Sequence, residues 1–445
     1  MSVGERLSVA VVGAGIAGLS AAWLLSEKHD VTLFEADPRL GGHANTAEAP
    51  GFHGPVPVDT GFIVYNESNY PNFTALLDHL GVPSLEADMS LSVSLDEGAF
   101  EYSSFGLGGI FAQLSNALSP RFWGMLADIT RFYREAPGQL AALEAKRTPL
   151  QAYLDANRYG DMFRDNHLLP MAAAIWSTPL DQIGRYPAAS LIRFFLNHGM
   201  MSVSGRGLWR TVKGGSREYV KALSAAFQGE ARKGVRVAGV RRDANGVELR
   251  LASGGRERFD EVVIATHGDA ALALLDDPTP EERRLLGSFH YSRNLIALHT
   301  DVSLMPKRRA AWCSWNHLAS KSKPGEGACS YWMTRLQSIE GAPDLFATLN
   351  PHKEIAADKL IRTEVYEHPL FDGAAIAAQE EFWDIQGARR TWFCGSYLGH
   401  GFHEDALQSG LAVAEQLGGV RRPWTVADES GRIHVRERAL EEEAA

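Results

Sequence analysis

A single stretch near the amino terminus limits the fold more than any other part of this chain. Val9 to Val12 is an apolar run of strand type, and it leads directly into Gly13-Ala14-Gly15-Ile16-Ala17-Gly18. A helical apolar pattern follows, and a second apolar run, Val31 to Phe34, delivers Glu35. Strand, glycine turn, helix, strand and acid form the setting in which GxGxxG indicates a dinucleotide-binding unit.

Each part of this stretch has a physical role. Gly13 permits a tight turn, Gly15 lets the backbone approach a pyrophosphate, and Gly18 lets the helix pack closely on the strand. The helix N-terminus offers N–H groups to the phosphates, and Glu35 is placed to accept hydrogen bonds from ribose hydroxyls. Residues 7–26 carry no charge, but their three glycines and the lack of a cleavage region argue against a membrane helix or a signal peptide.

Composition excludes several classes of protein. The 445 residues are 45% hydrophobic and 22% charged, as in soluble globular proteins of two or three domains or of two interleaved ones. The formal charge of −10 and the lack of a basic block argue against nucleic acid as a partner. The three cysteines have no CxxC spacing, so we expect a reducing cytoplasm, no disulfides and no metal site.

The middle of the chain departs from the α/β rhythm. Residues 72–81 form a predicted helix, and 89–95 with 99–103 form a predicted hairpin. Residues 105–143 are apolar and helical in pattern, with arginines beside aromatics, which fits a membrane-facing surface or, more commonly, the packed wall of a helical domain. Residues 166–201 have few charges and fit either a cavity for a long apolar substrate or an ordinary core.

The remaining residues return to strands. A helix is predicted after Gly214-Gly215, and residues 261–266 form a predicted buried strand. Further strands are predicted at 235–240, 247–251 and 256–259, and the last two of these form a predicted hairpin. Four more strands are predicted to form an antiparallel sheet in the second domain: 295–299, 311–315, 329–334 and 345–349. Near the carboxyl terminus, a strand delivers Gly395, and a helix is predicted from Glu404 to Leu417.

These motifs, taken in order, resemble the flavin-containing amine oxidoreductase superfamily, which also holds phytoene desaturases and fatty acid isomerases. The resemblance rests on the amino-terminal stretch, Arg39-x-Gly41-Gly42, the 58–65 segment, Gly214-Gly215 and the 391–410 motif. It implies an α/β fold with a Rossmann-type, glutathione-reductase-like FAD domain interleaved with a mixed α+β substrate domain. The implied FAD domain comprises 1–88, 206–275 and 386–425, the substrate domain 89–205 and 276–385, and a charged tail 426–445.

The resemblance also implies which residues hold FAD. Asp405 stands where the family usually has glycine, which is a departure in the last motif. The implied cofactor residues come from six segments: Gly13, Gly15, Ala17, Gly18, Glu35, Ala36, Arg39, Gly41, Gly42, His43, Thr60, Gly61, Phe62, Val237, Gly395, Ser396, Glu404, Asp405 and Ala406.

The substrate side differs from that of amine oxidases. Those members place two tyrosines over the flavin, and the corresponding positions here carry Trp392 and Phe402, which favours a more apolar substrate. We assign Trp176, Trp392 and Phe402 to the substrate pocket. Tyr65, His400 and His403 are the candidate proton acceptors, since histidine titrates near neutral pH.

The segments around 43–66 and 399–405 look most like a bacterial branch that includes flavin-dependent desaturases of methylated fatty acyl chains in furan fatty acid synthesis. This resemblance implies removal of a hydride and a proton from an unsaturated acyl chain, which leaves a conjugated diene. An amine oxidase, a redox-neutral fatty acid isomerase and a lipid-binding accessory protein are the alternatives. The expected partner is a fatty acyl or phospholipid substrate, with a cytoplasmic location, a possible contact with the inner face of the membrane, and a homo-oligomer left open.

Overall fold

The computed structural model describes residues 6–104, 106–176, 180–197, 201, 208–320 and 327–436. For residues 173–176, 180–181 and 197 it describes the backbone alone. Within these ranges, no helix combines the length and the apolar character needed to cross a bilayer.

The strands of the described residues follow in chain order: β1 (Ser8–Val12), β2 (Asp30–Glu35), β3 (Thr46–Ala49), β4 (Val56–Asp59), β5 (Tyr65–Asn66), β6 (Ser84–Glu86), β7 (Leu91–Leu95), β8 (Phe100–Ser103), β9 (Trp209–Val212), β10 (Glu230–Lys233), β11 (Val237–Asp243), β12 (Gly246–Leu251), β13 (Arg256–Phe259), β14 (Glu261–Ile264), β15 (His290–His299), β16 (Trp315–Ala319), β17 (Gly327–Trp332), β18 (Phe346–Leu349), β19 (Leu360–Leu370) and β20 (Thr391–Phe393).

The helices of the same residues are α1 (Ile16–Ser26), α2 (Pro71–Leu80), α3 (Gly106–Ile110), α4 (Pro120–Ala145), α5 (Leu150–Ala156), α6 (Asp161–Phe163), α7 (Leu169–Trp176), α8 (Leu180–Ile183), α9 (Ala188–Asn197), α10 (Arg217–Ala226), α11 (Gly268–Leu274), α12 (Pro280–Leu286), α13 (Met333–Leu336), α14 (Gly373–Glu381) and α15 (His403–Leu417).

A five-stranded parallel sheet, in the order β10-β2-β1-β14-β20, forms the centre of the nucleotide-binding part. Val11 of β1 pairs with Leu33 on one side and Val263 on the other. These central strands are almost wholly apolar because other elements cover them. Helix α1 packs on β1, β2 and β14, and α15 packs on α1, while β13 contacts β1 and β12 contacts β14. The expected α/β fold with a parallel sheet is confirmed, and its strands come from segments up to 380 residues apart in the predicted FAD domain.

A second sheet has seven strands in the order β19-β15-β18-β17-β16-β7-β8. The strands from β15 to β19 pair antiparallel, as expected, and among the described residues the one parallel pair of this sheet joins β16 to β7. The strand predicted at 311–315 is wrong. Residues Arg309–Ala311 form a 3₁₀ turn, held where the Trp312 indole donates to the Pro306 carbonyl at 2.7 Å, and the strand starts at Trp315.

The sequence pattern did not reveal β19, the longest strand of the second sheet. It lies at the sheet edge with five of its eleven residues exposed, and its sequence LIRTEVYEHPL alternates charged with apolar residues only weakly. An edge strand has one unpaired side, so it tolerates charges and Pro369. This strand carries two residues of the candidate site, Glu367 and His368.

The apolar segment at 105–143 is helical in pieces. It contains α3, a 3₁₀ turn at Leu114–Leu118, and α4, which begins after Ser119 accepts a hydrogen bond from the Phe122 N–H. One face of α4 is buried and packs on α9, where the rings of Phe132 and Phe195 lie 6.3 Å apart.

Candidate functional site

The glycines of the first turn form a cradle at the carboxyl edge of the parallel sheet. A Cβ atom on Gly18 would lie 1.9 Å from the Gly13 carbonyl oxygen, so only glycine lets α1 pack this closely on β1. Gly13 has φ +103°, which favours glycine. Gly15 is different, because a Cβ there meets no atom within 4 Å. The space beside it lies at the start of α1, which has no side-chain cap and no acidic residue in its first turn.

Glu35 lies at the end of β2, beside this turn. Its carboxylate accepts hydrogen bonds from the N–H groups of Ala14 and Asp37, both at 2.8 Å. The Val235 N–H donates to the Glu35 carbonyl at 2.8 Å, and Val237 follows Val235 by two residues. Ala36 is exposed next to them. An adenosine bound along this edge would therefore meet the acid and the first residue of β11.

The loop after β2 closes over the cradle. Gly41 and Gly42 have positive φ values, and a Cβ on Gly42 would come within 3.1 Å of the Gly15 Cα. Arg39 donates to the Gly42 carbonyl at 2.8 Å and to the Ala44 carbonyl at 3.3 Å. The guanidinium thus fixes the shape of the loop, with its described bonds directed to the loop itself.

A buried carboxylate anchors the next segment. Asp59 accepts hydrogen bonds from the Thr46 hydroxyl at 2.6 Å, the Ser216 hydroxyl at 2.8 Å and the Gln337 amide at 2.7 Å. Burial raises its pKa to about 6, against the effect of these bonds. Gly215 is needed here, because its Cβ would lie 2.5 Å from the Thr46 side chain. Four distant segments therefore meet at Asp59 and hold the residues that follow it.

Those residues form the floor of the site. The Thr60 hydroxyl is hydrogen-bonded to the Tyr366 hydroxyl at 2.8 Å, and a Cβ on Gly61 would lie 2.2 Å from the His43 carbonyl oxygen. The Phe62 N–H donates to that same oxygen at 2.8 Å. Residues 60–62 and His43 are consequently held in direct backbone contact.

The 391–410 motif brings a second helix N-terminus to the same edge. Gly395 donates its N–H to the Ser409 hydroxyl at 2.9 Å, and Ser396 begins a 3₁₀ turn. A Cβ on Gly410 would lie 2.2 Å from the Ala17 carbonyl oxygen, so α15 crosses α1 at close range. Ala406 is buried in the first turns of α15. Because α1 and α15 each follow a parallel strand, both begin where ligands bind in open α/β sheets.

The side chains of Glu404 and Asp405 are bonded to other protein groups, which argues against a side-chain contact with the cofactor. Glu404 accepts from the Asn72 side chain at 2.8 Å and the Phe73 N–H at 2.9 Å, so it caps the first turn of α2. Asp405 accepts from the Phe402 N–H at 2.7 Å and pairs with Arg432 at 2.8 Å. Polar groups buried at 0% exposure need such partners, and these protein groups supply them.

Trp392 is buried within the parallel sheet, which argues against its assignment to the substrate pocket. It lies in β20 with 2% exposure, and its indole N–H donates to Glu261 at 3.1 Å. Glu261 is the first residue of β14, so the indole points toward the opposite edge of the sheet. Phe402 precedes α15 and lies 5.2 Å from the Phe194 ring. Trp176 ends α7, and its side chain is outside the described residues.

Two of the three candidate proton acceptors are closed in by aromatic rings. The Tyr65 ring is buried, its hydroxyl bonds to Ser84, and burial raises its pKa. Phe73 contacts both Tyr65 and His403. His403 stacks on Phe62 at 3.8 Å, contacts the Tyr219 hydroxyl at 2.6 Å, and has its pKa lowered to about 3 by burial. These positions argue against Tyr65 and His403 as acceptors at neutral pH.

The structure assembles a histidine cluster that sequence reasoning identified only in part. His43 lies 6.1 Å from His267 and 5.5 Å from His368, measured between ring centroids, and His403 is close enough to act on the pKa of His43. Burial is the main cause that lowers the pKa of each, to about 4 for His368. The cluster is therefore neutral at pH 7.

His267 differs from the other members because a carboxylate supports it. Its Nδ1 lies 3.5 Å from the Glu367 carboxylate, and its ring stacks on Tyr291 at 4.3 Å. Glu367 also interacts through its backbone with His43. One signal for His267 was available in the sequence, since it follows β14 at the carboxyl end of a parallel strand, where ligand-binding residues concentrate.

A cavity of about 350 Å³ lies beside the loop that leads into α15. Tyr186, Phe194, Phe371 and Ile376 supply its apolar walls, and Arg193 and Arg432 supply cationic groups. His400 also faces it, with a pKa lowered mainly by burial. Residues 427–434 line part of it, although their polar sequence had predicted only a charged tail.

Comparisons with known proteins agree with this geometry. A family model described as flavin containing amine oxidoreductase matches residues 16–392. An L-amino-acid oxidase of Notechis scutatus scutatus is 62% identical over 39 residues, which are 8% of this chain and 8% of that protein. The chain thus matches less than a tenth of the length of that relative.

Two solved structures share the overall fold. A fatty acid isomerase from P. acnes, described as CLA-producing, has a TM-score of 0.67 at 17% identity, over 92% of this chain and 98% of its own. Putrescine oxidase bound to putrescine has a TM-score of 0.68 at 15% identity, over 93% of this chain and 99% of its own. Identities this low establish a shared fold and leave the substrate open.

Proposed function

This chain belongs to the flavin-containing amine oxidoreductase family and is an FAD-dependent oxidoreductase, and we propose that it oxidises an unsaturated acyl chain that carries an anionic head. The finer activity we propose is the desaturation of a fatty acyl chain of membrane lipid. The cavity with aromatic walls and two arginines, at the start of α15, is the observation that carries this proposal.

The residues at the sheet edge fit FAD. The open space beside Gly15, the uncapped start of α1 and the carboxylate of Glu35 match a pyrophosphate and a ribose. The start of α15 faces the same edge and suits the negative charge of a reduced flavin. When bound, the flavin supplies the hydride acceptor.

The cavity favours an acyl chain over an amine. Its volume of about 350 Å³ is within the range of small-molecule pockets. The guanidinium groups of Arg193 and Arg432 reach its surface, and one carboxylate, Asp428, lines it as well. The carboxylates that pair with the two arginines, Glu144 and Asp405, are not among the lining residues. Two guanidinium groups against one carboxylate favour the binding of a carboxylate or phosphate over that of an ammonium group.

We assign the proton to His267, which does not line the cavity, so the proposal requires that the acyl chain extends beyond the cavity to the histidine cluster. In the proposed reaction a hydride leaves one carbon, the neighbouring C–H gives its proton to His267, and the electron pair left behind forms the new double bond. A neutral imidazole accepts the proton, and Glu367, 3.5 Å away and half exposed, stabilises the imidazolium and leads the proton toward solvent. His400, at the cavity, remains the alternative acceptor.

The test is anaerobic mixing of the purified yellow holoprotein with unsaturated fatty acid, with phospholipid and with amines. We expect acyl lipid to bleach the flavin and to gain the ultraviolet absorbance of a conjugated diene. Bleaching by amines alone would establish an amine oxidase. Displaced double bonds without bleaching would establish an isomerase, and no reaction with any lipid would refute the proposal.

The role of His267 is tested in the same assay. The His267→Asn variant should retain its FAD content and bleach about 10²-fold more slowly, because it lacks the proton acceptor. The His53→Asn variant, which alters an exposed histidine elsewhere, is the matched control. Equal bleaching rates for the two variants would exclude His267 and favour His400.

A further inference from the structure

A cluster of large apolar side chains projects from the surface between α3 and α4. Leu107, Leu114, Leu118 and Trp123 are exposed by 76%, 80%, 88% and 51%. Single exposed apolar residues are common, but contiguous ones mark contact surfaces. Exposures this high mean that the side chains stand clear of their neighbours and do not line a groove.

Contacts link Leu107, Phe111 and Trp123, and Leu114 and Leu118 lie in the 3₁₀ turn between α3 and α4. We name this surface the 107–123 face. The Phe111 N–H donates to the Leu107 carbonyl at 3.0 Å, and the Phe111 ring lies 5.7 Å from that of Trp123. The indole N–H of Trp123 donates to the Ala117 carbonyl at 2.9 Å. Because that N–H already has a partner, moving the indole out of water costs no hydrogen bond.

The 107–123 face differs in charge from the chain as a whole. Residues 106–127 contain Arg121 and no carboxylate, within a chain of formal charge −10. Arg121 is exposed, and the first acid after it, Asp128, is paired with Arg131 at 2.9 Å. A face that is apolar, carries tryptophan and has only positive charge complements an anionic bilayer.

We propose that the 107–123 face docks this protein on an anionic lipid bilayer, with the three leucines and Trp123 inserted among the acyl chains. The face has a physical link to the cavity, because α4 begins in it and packs on α9, which supplies Arg193 and Phe194 to the cavity lining. Docking extends the proposed function, since a lipid substrate would enter from the surface that the protein contacts.

The test is co-sedimentation of the holoprotein with vesicles of phosphatidylcholine and phosphatidylglycerol. The double variant Leu114→Ser and Leu118→Ser should lose at least about tenfold of its partition into vesicles, because two leucines no longer leave water. The control is Phe52→Ser with Val302→Ser, at residues exposed by 70% and 52% elsewhere in the chain. It should bind like the unaltered protein.

Two outcomes would overturn docking on lipid. One is equal vesicle binding by the two double variants. The other is a dimer that the Leu114→Ser and Leu118→Ser changes dissociate, with no vesicle binding by either form, which would make the face a contact between copies of the chain. Flavin bleaching by detergent-dispersed lipid is measured in parallel. If detergent-dispersed lipid does not bleach the flavin of the unaltered protein, the proposed substrate is refuted, whereas the result on vesicle binding is unaffected.

Discussion

At the scale of single residues, two glycines of the same motif are needed for different reasons. Gly18 is required by contact, because a Cβ would lie 1.9 Å from the Gly13 oxygen. Gly15 is bordered by open space and has an extended backbone with φ −68°, which any residue adopts. The protein itself therefore tolerates a side chain at Gly15, and the reason for glycine there is the ligand.

This difference gives a matched pair of variants. Gly15→Ala should fold and unfold like the unaltered protein but bind FAD much more weakly, because the added methyl group occupies the pyrophosphate space. Gly18→Ala should lower the unfolding temperature, since α1 must shift on β1. Flavin content by absorbance and thermal unfolding by circular dichroism separate the two effects. Full flavin content in Gly15→Ala would contradict the placement of the pyrophosphate.

The histidines illustrate how far single residues were predictable. His400 and His403 attracted attention because they stand in the last motif. The fold instead closes His403 between Phe62 and Tyr219 and gathers His43, His267 and His368 from segments more than 100 residues apart. No local pattern reports such a meeting, because it depends on which strands become neighbours.

At the scale of elements, Glu404 joins α15 to α2. Its carboxylate accepts from the Asn72 N–H at 3.1 Å, the Phe73 N–H at 2.9 Å and the Gln408 amide at 3.0 Å. The first N–H groups of a helix have no partner within the helix, and here an acid from another helix supplies it. This explains an acidic residue in the last motif without a contact to the cofactor.

Removal of the Glu404 carboxylate should lower the stability of the fold more than it lowers the rate of the reaction. We expect Glu404→Ala to lower the free energy of unfolding by about 3 kcal/mol, because buried donors at the start of α2 lose their acceptor. Glu404→Gln keeps one oxygen acceptor and should cost less. Denaturant unfolding measures both, and the exposed change Glu340→Ala serves as a control. A stable Glu404→Ala that loses FAD would restore the cofactor assignment.

At the scale of the whole molecule, buried imidazoles tie stability to pH. His167, His299 and His317 are buried outside the candidate site, and burial lowers the pKa of each to about 4. Histidine in the unfolded chain has a pKa of about 6.5. Their contribution is therefore fully present above pH 6.5 and is lost as the pH falls toward 4, because the unfolded state binds protons that the native state does not.

For each such histidine, the free energy of unfolding should fall by about 1.4 kcal/mol per pH unit between pH 6.5 and the lowered pKa. We expect the unfolding temperature of the holoprotein to fall steeply between pH 6.5 and 4.5. His317→Leu should make this fall shallower, since the Nε2 of His317 has no hydrogen-bond partner among the described residues. His53→Leu, at an exposed position, should leave the slope unchanged. An unchanged slope in His317→Leu would show that its ring is protonated in the native state.

The fold class and the cofactor were predictable because their signals are local. Residues 8–35 contain a complete strand, turn, helix, strand and acid, and van der Waals contact between Gly18 and Gly13 demands glycine wherever this unit forms. A contiguous stretch of this kind folds the same way in any compatible protein, so its residues alone report it.

The substrate side depended on tertiary structure. Trp392 was expected in the pocket, yet its place in β20 turns the indole toward Glu261. The edge strand β19 supplies Glu367 beside His267. Its sequence did not predict a strand, because an edge position tolerates charged residues and proline. These outcomes depend on strand order and on long-range burial. Packing between distant segments therefore decides which side chains meet at the site, whereas local geometry already decides where the nucleotide lies.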